Sequence, residues 1–183
     1  SRGCRVFVLD LDRSKAEEVA ADIAAAHPEC LGALGFSCDV REVGQVKVAA
    51  ASVAESLRSS GGSLDVLINC AGVTRRLPAE DFSMEDFDKI IDTNTRGTWS
   101  VTMQFGTMML QGGRGGCIIN IDSFVTSSLL KHVLPYSMSK ASVQALTKGL
   151  ALEWGPKGVR VNGIAPGLVL TPISEALWSQ AHM

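Results

Sequence analysis

The stretch LDVLINCAG, residues 64–72, changes character along its length. Its first part is a short apolar run carrying β-branched side chains, the pattern of a strand buried on both faces of a parallel sheet. Its end is a tight turn of small residues, where a flat ligand can lie close to the backbone. Working outward, Gly61 and Gly62 stop a helical stretch that reaches about Ser60. Before it lie a strand over Leu31–Cys38, a helix over Ser14–His27 stopped by Pro28, and an opening strand over Cys4–Leu9 that ends on Asp10. On the other side, Ser83 is placed to cap a long helix, with Asp86 at its third position in a variant of the capping box. Phe87, Ile90, Ile91, Val101, Phe105 and Met108 recur at helical spacing as far as about Gln111. The strand CIINI (117–121), a helix over Pro135–Trp154, the strand and turn GVRVNGIAPG (158–167) and a short helix over Pro172–Gln180 complete the alternation. Strands alternating with helices predict a doubly wound parallel α/β sheet covered on both faces.

The tract GGRGG (112–116) looks like a phosphate loop. A phosphate loop needs a strand before it and a helix after it, so that helix amides face the anion. Here the order is reversed, and the tract reads as a helix terminator and turn.

The bulk properties narrow the function. With 183 residues, 46% hydrophobic and 20% charged, the chain suits one ordinary globular domain. A net charge of −2 argues against nucleic acid and anionic membrane surfaces as partners. Its apolar runs fall short of the roughly 20 residues that span a bilayer. Five cysteines without a CxxC pair suit reduced thiols in a cytoplasmic protein, with Cys4, Cys38, Cys70 and Cys117 expected to be buried. His27, His132 and His182 are scattered without ligand spacing, so no metal is expected.

The chemistry concentrates in PYSMSKASVQALTKGLALEW (135–154). Tyr136 and Lys140 are four apart at a helix start, on one face and within reach of each other. A phenol with a reference pKa near 10 is a poor acid or base at neutral pH. A neighbouring ammonium favours the phenolate, and lowering the pKa by roughly 2–3 units takes about 3–4 kcal/mol of differential interaction. Ser123 lies just past the strand CIINI, at the sheet edge where open α/β folds bind ligands, and can donate a hydrogen bond to a carbonyl oxygen. Asn94 falls on the apolar stripe of the long helix, so its amide must be bonded to backbone or water. The segment APG (165–167), followed by Thr171, marks another carboxyl edge.

Taken in order, these motifs resemble the short-chain dehydrogenase/reductase family along essentially the whole chain. NCAG (69–72) stands where the family has NNAG, with Cys70 in place of the second asparagine. Asn94, Ser123, Tyr136 and Lys140 match its Asn-Ser-Tyr-Lys tetrad. The resemblance implies that Tyr136 is the general acid/base, Ser123 orients the carbonyl, Lys140 holds the nicotinamide ribose and lowers the phenol pKa, and Asn94 positions a water for proton relay. It implies a cofactor surface of Asp10, Asp39, Val40, Asn69, Ala71, Gly72, Tyr136, Lys140, Pro166, Gly167 and Thr171. Asp122 departs from the pattern, since a serine often precedes the catalytic serine; pointing inward, it would raise the phenol pKa.

By the same resemblance Asp10 ends the family's second strand, where a carboxylate accepts ribose hydroxyls and repels a 2′-phosphate, favouring NAD over NADP; Arg13 argues the other way. The family's first strand and TGxxxGxG turn would precede residue 1, and its last helix and strand would follow residue 183. The chain is therefore expected to be one incomplete dinucleotide-binding domain over 1–183, with a gap in the sheet where the central strand is missing. AGVTRRLPAEDFSMEDFD (71–88) resembles family members that oxidise sugar acids, such as gluconate and 2-deoxygluconate dehydrogenases, and Arg75 and Arg76 are placed to grip a carboxylate. The expected activity is hydride transfer between NAD(H) and a secondary alcohol or ketone. The alternatives are an NADP(H)-linked 3-oxoacyl thioester reductase and a non-catalytic fragment that keeps only an oligomer surface. Helices 83–111 and 135–154, with the small residues Ala141, Ala145 and Gly149, are the expected faces of a homodimer or homotetramer.

Overall fold

The computed structural model describes residues 3–169, which fall into two compact units divided after Ser63. Thr171 and the helix expected at 172–180 lie outside the described residues.

In the first unit, β1 (Val6–Asp10) pairs in parallel with β2 (Ala33–Ser37), Val6 opposite Ala33 and Asp10 opposite Ser37. The crossover between them is α1 (Arg13–Ala26), whose start is fixed by the Asp12 carboxylate accepting the Ser14 and Lys15 amides. Ala16 and Ala20 form its buried face, small enough to let the helix lie close to the strands. The last helix of this unit, α2 (Val43–Ser59), buries Val46, Ala49, Val53 and Leu57 at helical spacing. The Arg5 guanidinium reaches the Ser56 carbonyl at 3.2 Å.

The second unit holds β3 (Val66–Asn69), β4 (Gly116–Ile121) and β5 (Val159–Ile164), parallel and in that order. Among the described residues the strands form two separate parallel sheets, β1–β2 and β3–β4–β5. Between β3 and β4 the chain forms α3 (Met84–Ile91), a π-helical turn over Asp92–Gly97, and α4 (Thr98–Gly112). Ser83 caps α3 as expected, accepting the Asp86 amide at 3.1 Å. The π turn was not legible in the hydrophobic period. It adds residues to one turn and shifts the helical phase of α4, so Met109 takes the buried position and Met108 only a half-buried one. The glycine tract ends α4 as expected, with Gly113 and Gly115 at φ of 68° and 76°, conformations that only glycine adopts at little cost. The helix α5 (Leu134–Trp154), with Pro135 in its first turn, covers β5. Met109, Ile118, Leu150, Trp154, Val159 and Val161 form one buried apolar cluster among these elements.

Beneath the carboxyl edge of this sheet runs a buried polar ladder. Asn69 and Asn120 are register partners on β3 and β4. The Asn69 amide donates to Asn120 and to Thr102 of α4, both at 2.8 Å, and the Asn120 amide donates to Thr147 of α5 at 2.8 Å. Each amide is buried, so these bonds offset a desolvation cost that an unpaired group would carry in full.

The thiols correct one expectation. All five cysteines are free, but of the four expected to be buried only Cys38 is, while Cys117 is half-buried and Cys4 and Cys70 are exposed. Cys70 sits one residue beyond β3, at the mouth of the sheet, and Cys4 precedes the first paired residue of β1. Strand-like sequence at an element's end does not ensure burial.

Candidate active site

The carboxyl ends of β3, β4 and β5 gather four of the residues singled out in the sequence. Lys140, in the second turn of α5, is buried to 5% exposure and donates from Nζ to the Ile121 carbonyl at 2.7 Å. That bond fixes the ammonium at the end of β4, with Nζ 5.7 Å from the centre of the Tyr136 ring. An ammonium has three donors, so two remain after this bond. Gly72 faces the same spot: a Cβ there would stand 3.4 Å from Asn94 Oδ1 and 3.6 Å from Lys140 Nζ. The small-residue turn read from the sequence thus keeps the approach to the ammonium open.

Asn94 lies in the π turn and is fully buried. Its Oδ1 accepts the Val73 amide at 2.8 Å, and its Nδ2 donates to the Val73 carbonyl and to Ser139 Oγ, each at 2.9 Å. Ser139 in turn donates to the Tyr136 carbonyl at 2.7 Å. Both amide hydrogens are therefore used inside the protein, and the side chain clamps the loop leaving β3 to the helix that carries Tyr136 and Lys140. The sequence requirement that this amide find partners holds, and the principal partner is backbone.

Ser123 stands at the start of a short 3-10 turn, Phe124–Thr126, and is buried. Its Oγ accepts the Val125 amide at 3.4 Å, and it acts on the Tyr136 phenol in the direction that favours ionisation. The neighbouring peptides brace it: the Asp122 amide donates to Ile164 at 2.7 Å and the Phe124 amide to Pro166 at 3.2 Å. Pro166 is thereby held beside the Ser123 segment, and Gly167 is exposed.

The electrostatics run against one implication of the resemblance. The Tyr136 phenol is held above its ordinary value, not below it. Burial is the largest cause; Ser123 works against it, and the charge of Asp122 adds to it. Burial also holds the Lys140 ammonium below the ordinary lysine range, opposed by Asp122 and then by Cys70. Lys140 is not among the groups that shift the phenol, and its Nζ donates to the Ile121 carbonyl. Asp122 does act on the site as an inward carboxylate. It is 7% exposed, the Thr126 hydroxyl that donates to the Ser123 carbonyl at 2.8 Å stands 3.5 Å from its Oδ2, and Oδ1 has no hydrogen-bond partner among the described residues.

The remaining expected residues divide. The Asn69 side chain is turned into the polar ladder, and Ala71 beyond it is exposed. Arg75 forms an ion pair with Asp86, the residue that also receives the Ser83 hydroxyl at 2.9 Å, so its guanidinium is tied to the start of α3. Arg76 is exposed and has no ion-pair partner among the described residues. The loop carrying both is fastened to the approach to α5, the Leu77 amide donating to the His132 carbonyl at 2.8 Å. His132 is itself in the left-handed region at φ 68°.

In the first unit, the Asp10 carboxylate accepts the Asp12 amide at 2.9 Å through Oδ1 and is exposed. Asp39 is gripped by Arg41, at 2.6 Å through Nη2 and 3.0 Å through Nε, and the guanidinium holds its carboxyl below the usual range. Val40 lies between them in the same turn. Arg13 pairs with Glu17 at 2.8 Å on the helix surface.

Reasoning from sequence missed Ser139, Val73 and the Ile121 carbonyl. Ser139 lies one helical turn from Tyr136, a spacing that could have drawn notice; main-chain groups carry no mark in a sequence.

The family model for short chain dehydrogenases matches residues 1–182. A D-threitol dehydrogenase of Mycolicibacterium smegmatis is 38% identical over 181 residues, covering 97% of this chain and 65% of that protein. A gluconate 5-dehydrogenase of Gluconobacter oxydans is 40% identical over 116 residues, covering 63% of this chain and 45% of its own length. Among solved structures, a gluconate 5-dehydrogenase of Burkholderia cenocepacia in complex with NADP and tartrate superposes with a TM-score of 0.85 at 30% identity, covering 96% of this chain and 66% of that one. The chain thus spans 65% of the threitol dehydrogenase and 45% of the Gluconobacter enzyme.

Proposed function

The chain belongs to the short-chain dehydrogenase family, and from that premise we propose that it bears the catalytic centre of an oxidoreductase that interconverts a secondary alcohol and a ketone, on a sugar or sugar acid. The observation that carries this reading is the buried Lys140 ammonium, bonded to Ile121 at 2.7 Å and 5.7 Å from the Tyr136 ring. An ammonium taken out of water needs a reason, and next to the Tyr136 phenol the reason is proton transfer. In the oxidising direction Tyr136 takes the hydroxyl proton of the substrate, and Ser123 donates a hydrogen bond to the same oxygen. Lys140 offers its two remaining donors to vicinal hydroxyls such as those of a ribose. Both hydrogens of the Asn94 side chain are spent inside the protein, so a water relay would use one of its carbonyl oxygens as acceptor.

A nicotinamide dinucleotide fits the second unit, where Gly72 leaves its Cβ position empty beside Lys140. When bound, it supplies the hydride acceptor. NAD is favoured over NADP on the Asp10 carboxylate, whose repulsion of a phosphate at 4 Å amounts to about 1–4 kcal/mol. The Arg13 charge that would offset it is partly neutralised by Glu17. Asp39 fits less well as an adenine acceptor, since Arg41 already engages both its oxygens. The presence of NADP with the Burkholderia relative keeps that cofactor as the second reading. The relatives' names support a polyol or sugar-acid substrate over an acyl thioester, and Arg76 is the guanidinium free to meet a carboxylate. Pairing of subunits through α4 and α5 is supported by Trp99, 54% exposed, Leu152, 80% exposed, and the exposed Ala141 and Ala145 on α5. Five free thiols support a cytoplasmic setting, and among the described residues no helix is long and apolar enough to cross a membrane.

Tyr136→Phe tests the assignment. Turnover of a polyol or sugar acid should fall by roughly 10²–10⁴-fold, while NADH binding, followed by fluorescence, stays close to that of the unaltered chain. Retained turnover would refute the acid/base role. Absence of any NADH binding by the unaltered chain would instead favour the inert reading.

A further inference from the structure

Just before β1 the chain brings two cysteines together. Cys30, in the turn that leads to β2, lies opposite Gly3 and Cys4: the Gly3 amide donates to the Glu29 carbonyl at 3.3 Å and the Leu31 amide to the Cys4 carbonyl at 2.9 Å. These two bonds bracket Cys30, and the Val6 amide on the Gly32 carbonyl at 3.0 Å continues the contact into the paired strands. The Cys30 thiol is turned toward Cys4, its Sγ donating to the Cys4 carbonyl at 3.1 Å and to the Gly32 carbonyl at 3.3 Å. A carbonyl oxygen lies about 3 Å from the Cβ of its own residue, so Cys30 Sγ stands within about 6 Å of Cys4 Cβ. Main chains hydrogen-bonded side by side are about 5 Å apart, inside the Cα separation of about 4.4–6.8 Å that a disulfide bridges. Rotation of the two side chains about χ1 then closes the remaining distance without moving the main chain. Cys4 is exposed and Cys30 half-buried.

We propose that Cys4 and Cys30 are a redox-sensitive pair that small disulfides close into an intramolecular bond. The exposed Cys4, as its thiolate, attacks one sulfur of a low-molecular-weight disulfide such as oxidised glutathione, forming a mixed disulfide and releasing one thiol. Cys30, held beside it, then attacks the Cys4 sulfur as a thiolate and expels the second thiol. The two protein thiols give up two electrons and two protons, and the small disulfide takes up both to become two thiols. Cys38 is buried, and Cys70 and Cys117 belong to the second unit, so Cys30 is the thiol placed to resolve the mixed disulfide. The bond would join residues 26 positions apart and close a loop through β1 and α1. A disulfide at so exposed a place is of the labile, regulatory kind. The pair therefore stays as thiols in a reducing compartment and closes as small disulfides accumulate. It lies wholly in the first unit and takes no part in the chemistry at Tyr136.

The test treats the full chain, under native conditions, with oxidised glutathione, blocks the remaining thiols in acid and maps the peptides without reduction. The expected product is a monomer in which Cys4 and Cys30 are joined and neither carries glutathione, and dithiothreitol should return both thiols. Cys30→Ser should leave Cys4 holding one glutathionyl group, because nothing beside it can expel the adduct, and Cys4→Ser should abolish the cross-link. Glutathione retained on Cys4 of the unaltered chain overturns the proposal. So does a bond from Cys4 to Cys70 or to a second copy of the chain, a link that forms only in urea, or the absence of any reaction at Cys4.

Discussion

Replacing Asn94 by alanine removes three hydrogen bonds at once, two part-buried ones to Val73 and a buried one to Ser139. Each is worth about 1 kcal/mol net, so their loss alone comes to roughly 3 kcal/mol. The Val73 amide and carbonyl lose their side-chain partner, and a half-buried group left unpaired adds about 1–3 kcal/mol more. The expected loss is therefore about 4–6 kcal/mol, large for a single substitution and assigned to one mechanism, a broken polar clamp. With a urea m-value of about 2 kcal/mol per molar, the midpoint should fall by about 2–3 M. Native-state amide exchange gives the local readout: the Val73 amide, protected by Oδ1 in the unaltered chain, should exchange far faster. Asn94→Asp keeps an acceptor for the Val73 amide but turns a second carboxylate oxygen toward the Val73 carbonyl, so it should lose at least as much. A midpoint within about 0.5 M of the unaltered chain, together with unchanged Val73 exchange, would show that the clamp is not formed in solution.

Thiol reagents should modify Cys4 and Cys70 in the folded chain at neutral pH, and Cys38 only in denaturant or at alkaline pH. Burial, with Asp39 adding to it, raises the Cys38 thiol above its ordinary value, so its share of stability is intact below the unfolded pKa and declines as pH rises through the folded one. Equal labelling of Cys38 and Cys70 at neutral pH would contradict this. Arg76→Ala should raise KM for a sugar acid about tenfold, a change of about 1.4 kcal/mol, and leave a neutral polyol unaffected; equal effects on both substrates would remove Arg76 from carboxylate recognition. Arg75→Ala, breaking an ion pair whose arginine is 56% exposed, should cost no more than about 1 kcal/mol in stability. A much larger loss by urea titration would mean the pair anchors α3 more firmly than its exposure allows.

The alternation of strands and helices, the Ser83 cap, the glycine stop after α4 and the ordered set Asn94, Ser123, Tyr136, Lys140 were all legible in the sequence, because each depends on periodicity, turn chemistry or local spacing. Burial at element ends was not, and Cys70 shows why: the pattern that places a residue past a strand says nothing about what covers it. Nor could period alone reveal the π turn, which changes the helical phase where Asn94 must face inward. Tertiary structure decided which groups spend their hydrogen bonds internally. It tied Lys140 to the Ile121 carbonyl, Asn94 to Val73 and Arg75 to Asp86, and so left Arg76 open. It also decided the sign of the Tyr136 shift, because desolvation and the nearness of Asp122 depend on three-dimensional packing, to which a four-residue spacing along one helix is blind.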